Sequence, residues 1–308
     1  MSEYISIIMP CYNEKLEWIK SSIDSILKQT YQKFELIIIL DNPNNSFIRD
    51  LIIEYSNLDK RIIPIFNEKN MGLSNTLNVG IKRSKYDLIA RIDSDDIALP
   101  NRLEVQLEFM RNNNVDILGS NAFFINETGS IIGETDNLIK PENISKILPI
   151  KDVMLHPTWL FKKKVYNEIG GYYPYLISED YDFLLRALSK GFILMNLKDK
   201  LIYYRVRENS ITNSRRLEML KTDRYIRKLH KENKSQVYNL NLFRNFSCDK
   251  ISNQELIEYI NLFKNSELGF LQRCKNIIFF YFRNKYCRYW FNYQIYSQLK
   301  LRIAKIQD

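Results

Sequence analysis

At 308 residues, 45% hydrophobic and 26% charged, the chain has the composition of a core-forming globular protein, long enough for one large α/β domain with an appended module or for two domains. Its longest apolar candidate, Ile277–Phe282, has six residues, far short of the roughly 18 to 20 that span a bilayer, which excludes an integral membrane helix. The net charge of +9 is lopsided: Leu268–Gln307 holds eight basic and no acidic residues, so the rest of the chain is close to neutral.

Met1 leads within four residues into "ISIIMP", too short for a signal h-region and without a basic n-region, so no secretory leader is expected. Apolar runs predict strands over Ile5–Met9, Glu35–Leu40, Arg61–Phe66 and Asp87–Ile92, with amphipathic helices near Leu16–Gln29, Ser46–Tyr55 and Leu73–Arg83. Near-continuously apolar strands alternating with helices indicate a parallel sheet covered on both faces. Such sheets bind ligands beyond the carboxyl ends of their strands, where strand order reverses. Polar clusters stand at all four of these ends: "PCYNE", "DNPNN", "NEKNMG" and "DSDD". They are expected to converge on one crevice.

Beyond Asn112 the pattern changes. "VDILGSNAFFI" and "SIIGE" predict strands joined by a turn over Asn126–Ser130, and "HPTWLF" a further strand. Glu179–Ser189 reads as a helix stopped by Gly191, followed by strands in "FILMNL" and "LIYYRV". No linker intervenes, so residues 1–212 are expected to form one domain with halves 1–112 and 113–212. Residues 213–308 are helical in pattern, with "NKSQVYNLNLFRNFSCDK" as a connection.

"RIDSDD" places Asp93, Asp95 and Asp96 within four positions, where like charges raise one another's pKa unless a cation or hydrogen bonds offset the cost. A divalent cation carrying a phosphorylated ligand fits this pattern, because Mg²⁺ is held by one or two carboxylates plus substrate phosphates. An EF-hand does not, since Ile97 and Ala98 stand where that loop needs an acid or amide and a glycine. Asp also favours helix starts, though one would serve for that. Four cysteines show no zinc spacing and there are only two histidines, so any metal must be held by oxygen, as Mg²⁺ or Mn²⁺ is. Neither G-x-G-x-x-G nor a P-loop follows the first strand. "SEDYDF" puts Glu179, Asp180 and Asp182 at a helix start, where capping competes with a general-base role.

The order "PCYNE", Asp41, "NMG", "RIDSDDIALPNRLEVQ", "HPTWLF", "GGY", "SEDYDFLLR" resembles family 2 glycosyltransferases that build bacterial surface polysaccharides (exopolysaccharide, O-antigen or capsule), over residues 4–207. The resemblance implies the GT-A nucleotide-diphospho-sugar transferase fold, an α/β fold with a mainly parallel central sheet. It implies an inverting, Mn²⁺- or Mg²⁺-dependent transfer of a hexose from a UDP-sugar to a saccharide acceptor, giving a β-glycoside. Glucose, galactose and N-acetylglucosamine donors are all compatible. Carried over, Pro10, Tyr12, Glu14 and Asp41 hold the nucleoside and Asn70 and Gly72 shape the base pocket. Asp93, Ser94, Asp95 and Asp96 match the D-x-D region for ribose, metal and diphosphate, with Asp95 and Asp93 as metal ligands. Asp180 matches the base, and His156, Glu179 and Asp182 fall on the acceptor side. Arg207 stands where members often carry histidine, and Asn42 where they often carry a second acid. Residues 1–112 become the donor half and 113–212 the acceptor half.

In the tail, aromatic residues from Phe279 to Tyr293 interleave with the basic ones. Basic aromatic helices lie in membrane interfaces; nucleic-acid binding and packing on the domain or a second subunit are the rivals. Peripheral contact of residues 268–308 with the anionic inner face of the cytoplasmic membrane is favoured, because the family often uses lipid-diphosphate-linked acceptors. A cytoplasmic protein without a nucleic-acid partner is expected, and homodimerisation through these helices is the alternative. A sugar-phosphate nucleotidyltransferase would show G-x-G-[ST]-R near its first strand, where "IMPCYNE" stands. A noncatalytic saccharide-binding module would not need acids at 93, 95 and 180.

Overall fold

The computed structural model describes residues 3–175, 177–207, 215–233, 278 and 285–308. Its first part alternates β1 (Ile5–Cys11), α1 (Leu16–Leu27), β2 (Phe34–Leu40), α2 (Ser46–Leu58), β3 (Ile62–Phe66), α3 (Leu73–Arg83) and β4 (Leu88–Arg91). These strands lie parallel in the order β3-β2-β1-β4, so the order reverses between β1 and β4. Both faces are covered: Ile5, Ile7 and Met9 point into a core with α1, α2 and Leu103 and Leu107 from further along the chain, while Ile8 points into the opposite core with Leu77 and Ile81 of α3. This two-sided burial is why β1 and β2, buried at all seven positions each, read as unbroken apolar runs.

The chain continues through β5 (Ile97–Ala98), α4 (Arg102–Asn112), β6 (Ile117–Ile125), β7 (Ile131–Glu134), α5 (Pro141–Ile147), β8 (Leu160–Lys162), α6 (Lys163–Ile169), α7 (Glu179–Ser189) and β9 (Leu194–Arg205). The sheet extends from β4 through β8, β6 and β9 to β5, with β7 beside β6. β8 runs antiparallel to both β4 and β6, whereas β6 and β9 are parallel. Helix α4 packs on the first face, as the apolar spacing after "ALPN" requires.

Three expectations need correction. "HPTWLF" is not one strand: His156–Thr158 form a 3-10 turn, with Pro157 at its start, and only Leu160–Lys162 join the sheet. "FILMNL" and "LIYYRV" are a single strand, whose exposed Lys198 and Asp199 are absorbed by register shifts against Ser120–Ala122. Pro10 belongs to β1, opposite Ile39, so the first loop begins at Tyr12.

Two further helices, α8 (Arg216–Lys231) and α9 (Lys285–Gln307), pack on the later half. Tyr225, Ile226, Leu229 and Ala304 enter the same core as α5 and α7. Asp308 accepts hydrogen bonds from the Ile139 and Lys140 amides (2.6 and 2.9 Å) at the start of α5. The described tail therefore packs on the domain. Outward, Ile295, Leu299, Ile303 and Ile306 of α9 stay exposed. The connection from residue 234 and the aromatic run at 279–284 lie outside the described residues. No helix among the described residues is long and apolar enough to cross a membrane.

Candidate active site

The loops after β1, β2 and β3 meet at the reversal of strand order. Asp41, at the end of β2, is buried and accepts from Asn67 Nδ2 (2.7 Å), Met71 N (2.9 Å) and Gly72 N (2.8 Å). Its charge thus fastens the loop that leads into α3. Gly72 adopts φ 77° at the cap of that helix, a conformation open to glycine, and Asn70 Oδ1 accepts from the same Gly72 amide (3.0 Å). Glu14 folds back on the Tyr12 amide (2.8 Å), and Tyr12 itself is 43% exposed. Asn42 donates to Asn13 Oδ1 (2.6 Å) and joins the two loops directly.

Beside them, Asp93, Asp95 and Asp96 bring carboxylate oxygens within 4.8 Å of one another at the end of β4. The protein partners them with three arginines. Arg91, 4% exposed, grips Asp93 through both terminal nitrogens (2.6 and 2.5 Å). Arg205, at the end of β9, donates its amide to Asp96 Oδ1 (2.8 Å) and its Nε to the Asp95 carbonyl (2.9 Å). Arg207 Nε reaches Asp95 Oδ2 at 2.9 Å. Burial, with the Asp93 charge behind it, still pushes Asp95 up to about 7, against the pull of Arg207. Burial, then the Asp95 and Asp93 charges, raises Asp96 well above the usual carboxylate range, and its Oδ2 is buried without a partner. Ser94 is buried near Cys11 beneath the cluster. An all-oxygen set with one orphaned oxygen fits a hard divalent cation, with Asp93 and Asp95 at its open side and Arg207 as the group it must share Asp95 with.

Residues of the later half of the sheet domain stand beside these loops. Asn78 of α3 holds the Tyr172 backbone from both directions (2.8 and 2.9 Å), and Gly171, at φ 77°, is the residue that permits this approach: a Cβ there would lie 2.8 Å from Asn78 Oδ1. Tyr172 OH in turn meets His156 Nε2 at 2.7 Å. His156 Nδ1 lies 3.9 Å from Glu179 Oε1 and 4.0 Å from Asp180 Oδ2. Burial, then the nearby Arg91 charge, holds His156 well below its usual range, so the imidazole is neutral and does not offset the charge of these acids. Burial, then the Asp180 charge, pushes Glu179 up to about 8, and burial raises Asp180 as well. The Asp180 side chain is 27% exposed against 9% for Glu179, which makes Asp180 the carboxylate a ligand can reach. The Arg91 and Asp93 charges are near enough to act on both Glu179 and Asp180. Asp182 is not brought to it: Arg186 takes its carboxylate at 2.7 Å, both side chains being buried.

The model of the glycosyl transferase family 2 domain matches residues 6–170, more than half of the chain. The chain belongs to this family. It is similar to the O-antigen biosynthesis glycosyltransferase WbnJ of Escherichia coli, 39% identical over 214 residues that cover 69% of this chain and 83% of the relative. It is similar also to UDP-Glc:alpha-D-GlcNAc-diphosphoundecaprenol beta-1,3-glucosyltransferase WfgD of Escherichia coli, 31% identical over 229 residues, covering 71% and 84%. Among solved structures, S. aureus TarS 1-349 in complex with UDP-GlcNAc superposes with TM-score 0.61 at 20% identity, over 84% of this chain and 79% of that one. The fold is the GT-A α/β fold, and the protein is a glycosyltransferase.

In this glycosyltransferase the sequence pointed to the acids and missed most of their partners. Arg91 heads "RIDSDD" and was the one basic residue inside the motif. Arg205 is about 110 residues away, and only the pairing of β9 with β6 and β5 carries it to Asp95 and Asp96. A count of charges would have found that three buried acids need cations, but not which.

Proposed function

We propose that this glycosyltransferase transfers a hexose, with inversion, from a UDP-sugar to a saccharide on a lipid diphosphate, in synthesis of a bacterial surface polysaccharide. The observation that carries the reading is the reachable, pKa-raised Asp180 across the cleft from the Asp93–Asp96 cluster. A donor lies in the crevice with its nucleoside along Tyr12, Glu14 and the Asp41-fastened loop, and its diphosphate toward Asp93 and Asp95. Mn²⁺ or Mg²⁺, held by Asp93 and Asp95, would neutralise charge on the departing diphosphate. Asp180 takes the proton of the acceptor hydroxyl as that oxygen bonds to the anomeric carbon, while the carbon–diphosphate bond breaks on the opposite face. An α-linked donor then yields a β-glycoside. A raised pKa suits this step, because a base with proton affinity nearer the working pH holds the proton it takes. Glu179, largely protonated at neutral pH, does not compete for that role.

The names of WbnJ and WfgD support the polysaccharide setting and the lipid-diphosphate acceptor, and that of TarS supports a UDP-sugar. The exposed Ile295, Leu299, Ile303 and Ile306 of α9, beside exposed Arg302 and Lys300, support peripheral contact with anionic lipid on the cytoplasmic face. The test is a thermal-shift screen of UDP-glucose, UDP-galactose and UDP-N-acetylglucosamine with and without Mn²⁺, followed by transfer to N-acetylglucosaminyl diphosphate lipid. Asp180→Asn should keep donor binding and lose transfer by at least a hundredfold; transfer that survives sinks the base assignment.

A further inference from the structure

His156 stands between a phenol and two carboxylates, and those neighbours decide which ring nitrogen carries its proton. The ring is buried in the 3-10 turn His156–Thr158, with the Trp159 ring 4.4 Å away. Nε2 meets Tyr172 OH at 2.7 Å. Nδ1 lies 3.9 Å from Glu179 Oε1 and 4.0 Å from Asp180 Oδ2. A neutral imidazole carries one N–H, and a hydroxyl serves as donor or acceptor, so Tyr172 by itself allows either tautomer. The carboxylates do not. Glu179, pushed up to about 8, is largely protonated at neutral pH, so the Asp180 charge decides. A lone pair on Nδ1 would meet that charge with like sign, whereas an N–H meets it with opposite sign. With the proton on Nδ1, Tyr172 must donate to Nε2.

Both partners of the imidazole are held in place. Asn78 of α3 donates to the Tyr172 carbonyl (2.8 Å) and accepts from its amide (2.9 Å), and the Tyr172 ring stacks on Phe183 of α7 with centroids 4.6 Å apart. The phenol is therefore placed without help from its hydroxyl. Thr158 Oγ1 donates to the Leu155 carbonyl (2.7 Å) and Trp159 N to the His156 carbonyl (3.2 Å), which fixes the turn that carries the imidazole. On the far side, Asp180 Oδ1 accepts from Tyr181 N (2.8 Å), and Oδ2 is the oxygen beside Nδ1. One oxygen of this carboxylate is held by its own helix and the other faces His156.

We propose that His156 and Tyr172 are positioning residues for transfer: Tyr172 OH donates to Nε2, and the Nδ1–H so placed faces Asp180 Oδ2 and restrains the carboxylate that takes the acceptor's proton. The inference rests on Asp180 as the base. A neutral donor suits this place, because a full positive charge there would lower the proton affinity that a base needs.

The test uses the full chain. The sequence has two histidines, so isotopic labelling of histidine nitrogen alone gives two ring spectra, and the set lost in His156→Gln belongs to His156. At pH 7 this ring should be neutral with its proton on Nδ1, and Tyr172→Phe, which keeps the stacking on Phe183, should shift the Nε2 resonance by removing its donor. A proton on Nε2, as when Glu179 donates to Nδ1, overturns the proposal, and so does an Nε2 resonance indifferent to Tyr172→Phe. Activity is read as UDP release from whichever of UDP-glucose, UDP-galactose and UDP-N-acetylglucosamine gives the largest thermal shift, with Tm as the check on folding. The amide nitrogen of asparagine falls where Nδ1 stands, and that of glutamine, one bond further out, where Nε2 stands. His156→Asn should therefore stay within about fivefold of wild-type kcat, while His156→Gln loses on the order of 10- to 100-fold, with donor KM changed less than twofold in both. A ring that serves packing alone would give equal losses or favour glutamine, and either result overturns the proposal. Activity that survives in Asp180→Asn refutes the base and with it this role, whereas a proton on Nε2 with Asp180→Asn inactive refutes the positioning alone.

Discussion

Glu179→Gln tests the electrostatics at the start of α7. In the folded protein burial and the adjacent Asp180 push this carboxyl from 4.5 to about 8. Between those values the folded state keeps a proton that the unfolded chain has released. Stability is therefore fully present below about pH 4.5 and declines as pH rises through about 8. The gap, at about 1.4 kcal/mol per pH unit, amounts to about 5 kcal/mol, a ceiling that belongs to the Glu179–Asp180 pair rather than to one residue. Glutamine has the same shape and no proton to lose, so it removes most of this decline. Urea unfolding at pH 5, 7 and 9 should give wild type and variant within about 1 kcal/mol of each other at pH 5 and the variant several kcal/mol ahead at pH 9. Transfer at pH 7 should fall no more than a few-fold, since wild-type Glu179 is then mostly protonated. Parallel stability curves would refute the argument, and so would a hundredfold loss of transfer at pH 7.

Arg207→Gln frees Asp95 Oδ2 from its partner at 2.9 Å. At pH 8, Mn²⁺ binding by calorimetry without nucleotide should tighten about tenfold, because the cation no longer shares that oxygen. Arg186→Met strands the buried Asp182 and should destabilise the fold by about 3 to 5 kcal/mol in urea unfolding. Asp182→Leu combined with it should restore most of that loss; an unstable double variant would show that Asp182 serves something besides Arg186.

How much of this was legible in the sequence depended on how local the cause was. β1, β2 and α3 were plain because both-face burial and 3.6-residue spacing are written in adjacent residues. The acids at 93, 95, 96 and 180 were plain because each group sits at one strand or helix end. β9 read as two strands because Lys198, Asp199 and Lys200 interrupt its apolar run, yet those positions lie where the strand is least buried. Asp182 read as a member of the Glu179–Asp180 group from proximity in sequence. On a helix two residues apart point to different sides, and i+4 put Arg186 beside it instead.

The acidic cluster bears on metal use in a way the motif alone does not. Asp93, Asp95 and Asp96 carry three formal negative charges, and Arg91, Arg205 and Arg207 bring three positive ones to the same strand ends. An anionic diphosphate entering such a site finds every guanidinium already engaged. Of the three, Arg91 and Arg205 are buried, Arg91 committed to the Asp93 carboxylate and the Arg205 guanidinium to backbone carbonyls, whereas the Arg207 side chain is 29% exposed just beyond its strand. Charge could then be balanced in two ways: Arg207 would turn from Asp95 to the diphosphate, or a divalent cation held by Asp93 and Asp95 would supply the positive charge. The Arg207→Gln titration separates them. If only the cation matters, UDP affinity in saturating Mn²⁺ will match wild type. If the guanidinium also meets the diphosphate, UDP will bind about tenfold more weakly even with the cation supplied, the loss expected for one charge-assisted contact.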